Sequence, residues 1–292
     1  MNRQHWRLLT RGGFFALFLF APLLELFRFD LTAGHFVILG QDWVFGDHAF
    51  SGSPTEAAAT IALNVFLPIL GFIAVAGVLI WRYGRLYCGW LCPHFSIVEI
   101  INQTMLTQLN RVTLWEKASR KTRGLLPWAL VTALAISLAF VWAVSLLTYL
   151  MPPVPLLRDL IHLQLGFGST CFIIAATTVF SIDFLFARHL FCKYGCALGI
   201  FQSLIWMGNS KGLVVSFDKK RADLCKDCDR ECDKACPMRL PPRSIKRAKF
   251  TCTQCAQCLS ACDRVQKDNP DGAVIRWVTG DEAKQVDRNA KR

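Results

Sequence analysis

Eight cysteines crowd into residues 225–262. The first run is Cys225-x-x-Cys228-x-x-x-Cys232-x-x-x-Cys236 followed by Pro237, and the second is Cys252-x-x-Cys255-x-x-Cys258-x-x-x-Cys262. Each iron of a 4Fe–4S cube needs a thiolate. Three closely spaced cysteines on one loop supply three of them, and a distant fourth completes the set; in a two-cluster module the fourth cysteine of each run serves the other cluster. That crossing assigns Cys225, Cys228, Cys232 and Cys262 to one cluster, and Cys252, Cys255, Cys258 and Cys236 to the other. A disulfide framework suits small secreted domains, and a zinc ribbon uses two ligand pairs; both fit two runs of four less well. Two details depart from the bacterial pattern. Three residues, where two are usual, separate Cys228 from Cys232, and Cys262 is followed by Asp263 in place of proline.

Four more cysteines form two shorter motifs. Leu86-Tyr87-Cys88-Gly89-Trp90-Leu91-Cys92-Pro93 follows one apolar segment, and Leu190-Phe191-Cys192-Lys193-Tyr194-Gly195-Cys196-Ala197 follows another. Cysteines four apart on a helix share a face, with Cβ atoms roughly 6 Å apart, which is too wide for a disulfide. Pro93 suits a first helical turn, so Cys92 would sit at a helix N-terminus that favours thiolate. Three readings stay open. Cys88, Cys92, Cys192 and Cys196 could meet as a third metal or cluster site at the membrane edge. They could form a redox-active thiol pair or a docking surface without metal. They could simply pack. Cys171 stands alone and reads as a packing residue.

The elements that carry these motifs are apolar. The chain has 292 residues, 53% of them hydrophobic, and a mean hydropathy of +0.34, with a net charge of +12. Four segments are long enough to span a bilayer: about residues 12–27, 57–81, 125–150 and 163–186. Lys and Arg set their orientation. Arg3, Arg7 and Arg11 precede the first segment; Arg82, Arg85, Arg111, Lys117, Arg120, Lys121 and Arg123 fill the loop between the second and third; and residues after 186 are rich in both. Both termini and all clusters should therefore be cytoplasmic, with residues 42–47 and 152–158 facing out. Cytosolic thiols stay reduced. Next to a membrane, basic residues set topology and meet lipid headgroups, so nucleic acid is not expected as a partner. The two Cys-x-x-x-Cys motifs each end an apolar hairpin entered from the same side, an internal repeat of parallel type. The fold class expected is a mostly α membrane protein. Its four transmembrane helices form two parallel-repeat hairpins over residues 12–212, after a cytoplasmic N-terminus at 1–11. A small two-cluster ferredoxin-like domain at 213–280 and a polar, mobile tail at 281–292 follow.

Scattered single residues add little. His94 could face a quinone headgroup or be an ordinary interfacial histidine. Glu25 near a span end could serve a proton path or snorkel to water. The basic segment 239–249 could dock an acidic partner such as a soluble ferredoxin, or be a solvated loop.

Together, the apolar spans, the paired Cys-x-x-x-Cys motifs and the two terminal cysteine runs resemble the membrane-bound polyferredoxin family. Its members include the NapH-type quinol dehydrogenase ferredoxin subunit of periplasmic nitrate reductase systems, and related proteins serving nitrous-oxide reductase or oxidase assembly. Ala197 departs from the family's proline. The resemblance covers nearly the whole chain. It implies a multi-pass protein of a bacterial inner membrane that exchanges electrons between the quinone pool and a partner redox protein, of ferredoxin or cytochrome type. The residues themselves leave two other functions open: a cluster-dependent copper reductase using the Cys-x-x-x-Cys thiols, and a non-catalytic assembly or anchor subunit.

Overall fold

The computed structural model describes residues 3–43, 62–111, 124–226 and 228–288, with Thr55 and Ala59. Lys117, Arg120, Lys121, Arg123, most of the 42–47 loop and the last residues of the tail lie outside them. The described chain is mostly helical and forms two compact units that interleave in sequence. One comprises Met1–Gly12, Leu70–Phe95 and His189–Arg292; the other comprises Gly13–Ile69 and Ser96–Arg188. Both Cys-x-x-x-Cys turns and both terminal cysteine runs belong to the first unit.

In the second unit, the helix Leu126–Thr148 has Pro127 in its first turn and runs for 23 residues. Its buried face reads Val131, Ala135, Ala139, Trp142 and Ala143. Small residues four apart let neighbouring backbones approach closely. Ile97, Val98, Ile101, Met105 and Leu109 of the helix Pro93–Leu109 and Phe184 complete this core. Leu126–Thr148 and Phe167–Ala187 are the two described helices long and apolar enough to cross a membrane. Leu67–Tyr83 is apolar but shorter. Its seventeen residues rise about 25 Å, and a helical turn at Ala62–Phe66 precedes it. Phe72 is 76% exposed, and Ile73, Val75, Val78 and Leu79 of the same helix are also exposed. A contiguous apolar surface of this kind calls for lipid or a partner. Cys171 is exposed as well, on Phe167–Ile182, so it does not pack inside the protein as its sequence context suggested.

Residues 12–27 do not form one helix. The first helix is Arg3–Phe20, and the chain then turns into strand β1, Phe27–Asp30. Pro22 explains the stop: it has no N–H to donate and its ring crowds the carbonyl four residues back. Strands β2, His35–Ile38, and β3, Gln41–Trp43, complete an antiparallel meander. Arg28 and Asp30 pair within it at 2.7 Å. Thr32 and Ala33 also donate to Asp30, and these bonds hold its carboxyl well below the usual range.

In the first unit, β4, Val214–Phe217, and β5, Ile275–Val278, pair antiparallel, and both cysteine runs lie between them. Residues 281–288 are a helix rather than a mobile tail. Ala283 and Val286 lie three apart on one face and pack with Trp206, Val214 and Val278; a polar composition hid a two-residue apolar stripe. Trp206 is 0% exposed, and its Nε1 donates to Leu213 O at 2.9 Å. Trp206→Ala should cost about 3–5 kcal/mol, read as a fall in thermal unfolding temperature in detergent. An unchanged midpoint would show that this core is not needed.

Candidate iron–sulfur centre

Cys225 ends a short 3-10 turn, Lys219–Cys225; Cys232 sits on the helix Glu231–Lys234; and Cys262 lies on the helix Gln257–Val265. Together with Cys228 they line a small cavity whose other walls include Val265, Val274 and Ile275. The extra residue between Cys228 and Cys232 is taken up by a left-handed turn, since Asp229 and Arg230 both have positive φ. Asp tolerates that conformation better than most residues. Burial and the neighbouring Asp233 push the Cys232 thiol up to about 11.

Cys252, Cys255 and Cys258 wrap a tighter loop in which Gln254 and Ala256 are also left-handed. Cys236 joins this set, packed in the same buried cluster as Cys252. Its Sγ accepts from Leu240 N at 3.3 Å, the kind of N–H···S bond that tunes a cluster's potential. Burial raises both Cys252 and Cys258 strongly. Cys258 also senses Cys232, so the two sets are neighbours. The structure thus brings together Cys225, Cys228, Cys232 and Cys262 on one side, and Cys252, Cys255, Cys258 and Cys236 on the other. Among the described residues, no three His, Cys, Asp or Glu side chains close on a single ion. A four-iron cube holds its thiolates wider apart than one ion does, so these all-sulfur sets fit the cube better.

The two shorter motifs do not lie on single helices. Cys88 is on a short helix, Leu86–Trp90, that ends before Cys92; the next helix starts at Pro93. Cys192 lies in a wide turn, Phe191–Gly195, and Cys196 caps the helix Ala197–Gly208, its Sγ accepting from Gly199 N at 3.4 Å. Each pair therefore straddles a helix break, because Pro93 and the extended backbone at Cys196 each begin a new helix. The four thiols still converge. Cys92 and Cys192 pack in one buried cluster, and the Cys88 thiol donates at 3.2 Å to Gln202 Oε1, on the helix that Cys196 caps. His94 Nδ1 lies 3.6 Å from Cys192 Sγ, its ring against Phe191.

A family model described as "4Fe-4S binding domain" matches residues 64–111 and 169–212. These segments are the two copies of the Cys-x-x-x-Cys hairpin. The ferredoxin-type protein NapH of Escherichia coli is 27% identical over 230 residues, 76% of this chain and 71% of that protein. NapH of Haemophilus influenzae is 24% identical over 270 residues, covering 88% and 85%. The methylamine utilization ferredoxin-type protein MauN of Methylorubrum extorquens is 31% identical over 176 residues, 59% of this chain and 52% of that protein. The chain is a relative of the NapH-type ferredoxin proteins. Those relatives are ferredoxin-type proteins, and the matching family model describes a 4Fe-4S binding domain. No solved structure matches.

Several residues that hold this NapH-like centre together carried no signal in the motifs. Trp90 Nε1 donates to Gln254 O at 2.9 Å, Gln4 Nε2 to Cys255 O at 3.2 Å and Arg7 Nε to Gly89 O at 2.8 Å. Arg7, Arg11, Arg85, Lys246 and Lys249 are buried, so they are not the lipid-facing or solvated cations that their sequence neighbourhoods suggested. Lys246 Nζ donates to Trp206 O at 3.0 Å and lies 4.5 Å from the centre of that ring. Lys249 Nζ donates to the carbonyls of Val215, Pro242 and Ser244. The segment 239–249 is thus anchored from inside through two of its lysines. Lys249→Met should leave these buried acceptors unsatisfied, at about 1–3 kcal/mol for each. The measurement is thermal unfolding alongside iron content; a variant as stable as the parent would rule the anchor out.

Proposed function

We propose that the chain is the membrane-bound iron–sulfur component of a quinol-oxidising system. It passes electrons between the quinone pool and a partner redox protein of ferredoxin or cytochrome type. Its two all-cysteine sets each hold one 4Fe–4S cluster, Cys225, Cys228, Cys232 and Cys262 on one and Cys252, Cys255, Cys258 and Cys236 on the other. Each cluster supplies one-electron transfer when bound. The protein's part is to exclude water, donate N–H to sulfur as Leu240 does, and keep the two sets adjacent. Quinol releases two electrons and two protons; the chain provides the route for the electrons and the membrane setting for the quinol. Membrane crossing by Leu126–Thr148 and Phe167–Ala187, with both termini cytoplasmic, completes the reading.

The observation that carries it is one continuous packing layer. Cys92 and Cys192 of the span-ending turns share a buried cluster with Phe95, Met238 and Leu240 and with Cys236 and Cys252 of the terminal runs. Cluster ligands are thereby built directly onto the ends of apolar helices. The test is anaerobic reconstitution in lipid, followed by spectroscopy during addition of a quinol analogue. Cluster bleaching within seconds supports the reading. Clusters that a chemical reductant reduces, but neither quinol nor quinone touches, would overturn it. Topology is checked separately: a cysteine added beyond residue 288 should be labelled by a membrane-impermeant maleimide only in inside-out vesicles, and labelling in intact cells would contradict the orientation.

A further inference from the structure

Strand β5 serves different cysteines at its two ends. Ile275 lines the cavity of Cys225, Cys228, Cys232 and Cys262. Trp277, two residues on, shares that face of the strand, about 7 Å along it, while Arg276 between them is exposed. Trp277 packs against the buried group that holds Ala256 and Leu259, as does Cys258. Two further contacts fix which cysteines lie beside it. The Trp90 ring is 6.5 Å from the Trp277 ring, and Trp90 Nε1 donates to Gln254 O. Gln254 Nε2 in turn donates to Leu213 O at 3.2 Å, next to Val214 and Val215, which pair with Val278 and Trp277 in the sheet. Trp277 therefore adjoins the loop of Cys252, Cys255 and Cys258.

Its indole N–H is buried and has no acceptor among the described residues. An indole nitrogen only donates, and a buried donor left unsatisfied costs the full desolvation of the group. The two neighbouring indoles are satisfied, Trp206 by Leu213 O and Trp90 by Gln254 O. The loop beside Trp277 shows the same deficit twice more. Thr251 and Thr253, on either side of Cys252, are 5% and 1% exposed, and their hydroxyls have no partner among the described residues. The loop's carbonyls already receive donors. Arg85, which donates to Cys192 O at 2.8 Å, reaches Thr251 O at 3.5 Å; Trp90 donates to Gln254 O and Gln4 to Cys255 O. Three orphaned polar groups around one cysteine loop call for partners that the polypeptide does not supply. The sulfurs of a cube are acceptors of that kind.

We infer that Trp277 donates its indole N–H to sulfur of the cluster held by Cys252, Cys255, Cys258 and Cys236, and that this bond raises the cluster's reduction potential. Reduction adds one electron, from quinol in the proposed reaction, and its charge spreads over the sulfurs. An N–H aimed at sulfur stabilises the reduced state more than the oxidised one, the more so in a dry site where little else screens charge. Leu240 N makes a bond of this kind to Cys236 Sγ from the backbone. Trp277 makes it from a side chain, which a substitution can remove without touching a ligand. The inference deepens the electron-transfer reading and rests on its second cluster.

The test uses the full-length chain purified without oxygen, with the clusters followed by EPR during a redox titration. The signal lost in C228S belongs to the Cys225 set, and the signal lost in C258S to the Cys252 set. W277F keeps an aromatic ring and removes the N–H. In it the Cys252 signal should shift to lower potential, with its iron retained, while the Cys225 signal stays put. If W277F does not accumulate, the parent chain grown with isotope-labelled tryptophan decides: pulsed EPR of the reduced Cys252 cluster should show coupling to one indole nitrogen and to its exchangeable proton. An unshifted Cys252 signal in W277F, or no indole coupling in the parent, would overturn the donor while leaving both clusters in place. A shift of the Cys225 signal alone would overturn it as well. Failure of the electron-transfer reading looks different. Clusters that quinol does not reduce, but whose Cys252 signal still shifts in W277F, would keep the donor and end the quinol role.

Discussion

Cys258→Ser should remove about four irons and slow quinol-driven reduction of an acceptor by at least a factor on the order of 100. Losing a mere supporting partner of a metal ligand already costs 10–100-fold. Cys258 stands near the start of Gln257–Val265, electrostatically coupled to Cys252, Cys255 and Cys236. Serine keeps the shape of the side chain but is a far harder, more basic ligand, so the loop would keep its backbone and lose its iron. The informative comparison is with two cysteines that sequence proximity would misplace. Cys236 follows Cys232 in the first run, yet Cys236→Ser should reproduce the spectroscopic lesion of Cys258→Ser. Cys262 ends the second run, yet Cys262→Ser should reproduce that of Cys225→Ser. Pairing by run instead of by crossing, seen as Cys236→Ser matching Cys225→Ser in the low-temperature EPR of the reduced protein, would refute the ligand sets.

The cysteines could be read from the sequence because the iron chemistry fixes their spacing locally. Three ligands on one loop leave a mark that no tertiary contact is needed to decode. Burial of a cation leaves no such mark. Arg85 stands among Arg82 and Arg111 as one more basic residue near a membrane edge, and only the approach of Cys192 and Thr251, both distant in sequence, turns it inward. The same holds for Lys246, whose carbonyl partners Trp206 and Asn209 lie at the end of the helix Ala197–Gly208, and for Lys249, whose partners Val215 and Ser244 lie on a strand and a turn. The expectation that Cys88 and Cys92 share a helix face failed on a residue already in view. Pro93 starts a helix, so the cysteine before it has to end something else. Pro22 misled in the same way: hydropathy over residues 12–27 was correct, but the run contained its own stop. The helix at 281–288 was hidden because Ala283 and Val286 are too few to register as a pattern, although two residues suffice when Trp206 and Val278 are waiting for them.

Gly89→Ala should loosen the loop that carries Cys252 and Cys255. A Cβ at Gly89 would stand 2.3 Å from Thr253 O and 3.2 Å from Cys255 Cα, both backbone atoms that cannot rotate away. Neither side can retreat easily. Gly89 O is held by Arg7, the adjacent Trp90 holds Gln254 O, and Gln4 holds Cys255 O. Overpacking of this kind costs about 1–3 kcal/mol, and here the displaced atoms belong to the loop that presents Cys252 and Cys255. The expected result is a lower unfolding temperature together with loss of iron from the Cys252 set during purification, while the Cys225 set, farther from the clash, keeps its signal. Gly12→Ala is the control. It lies in the same N-terminal helix with nothing within 4 Å of the added Cβ, so it should be neutral or stabilising by up to about 1 kcal/mol. Full iron content and an unchanged unfolding temperature in Gly89→Ala would mean that the Cys-x-x-x-Cys turn and the cluster loop are not in contact, and the packing layer that joins membrane helices to cluster ligands would have to be abandoned.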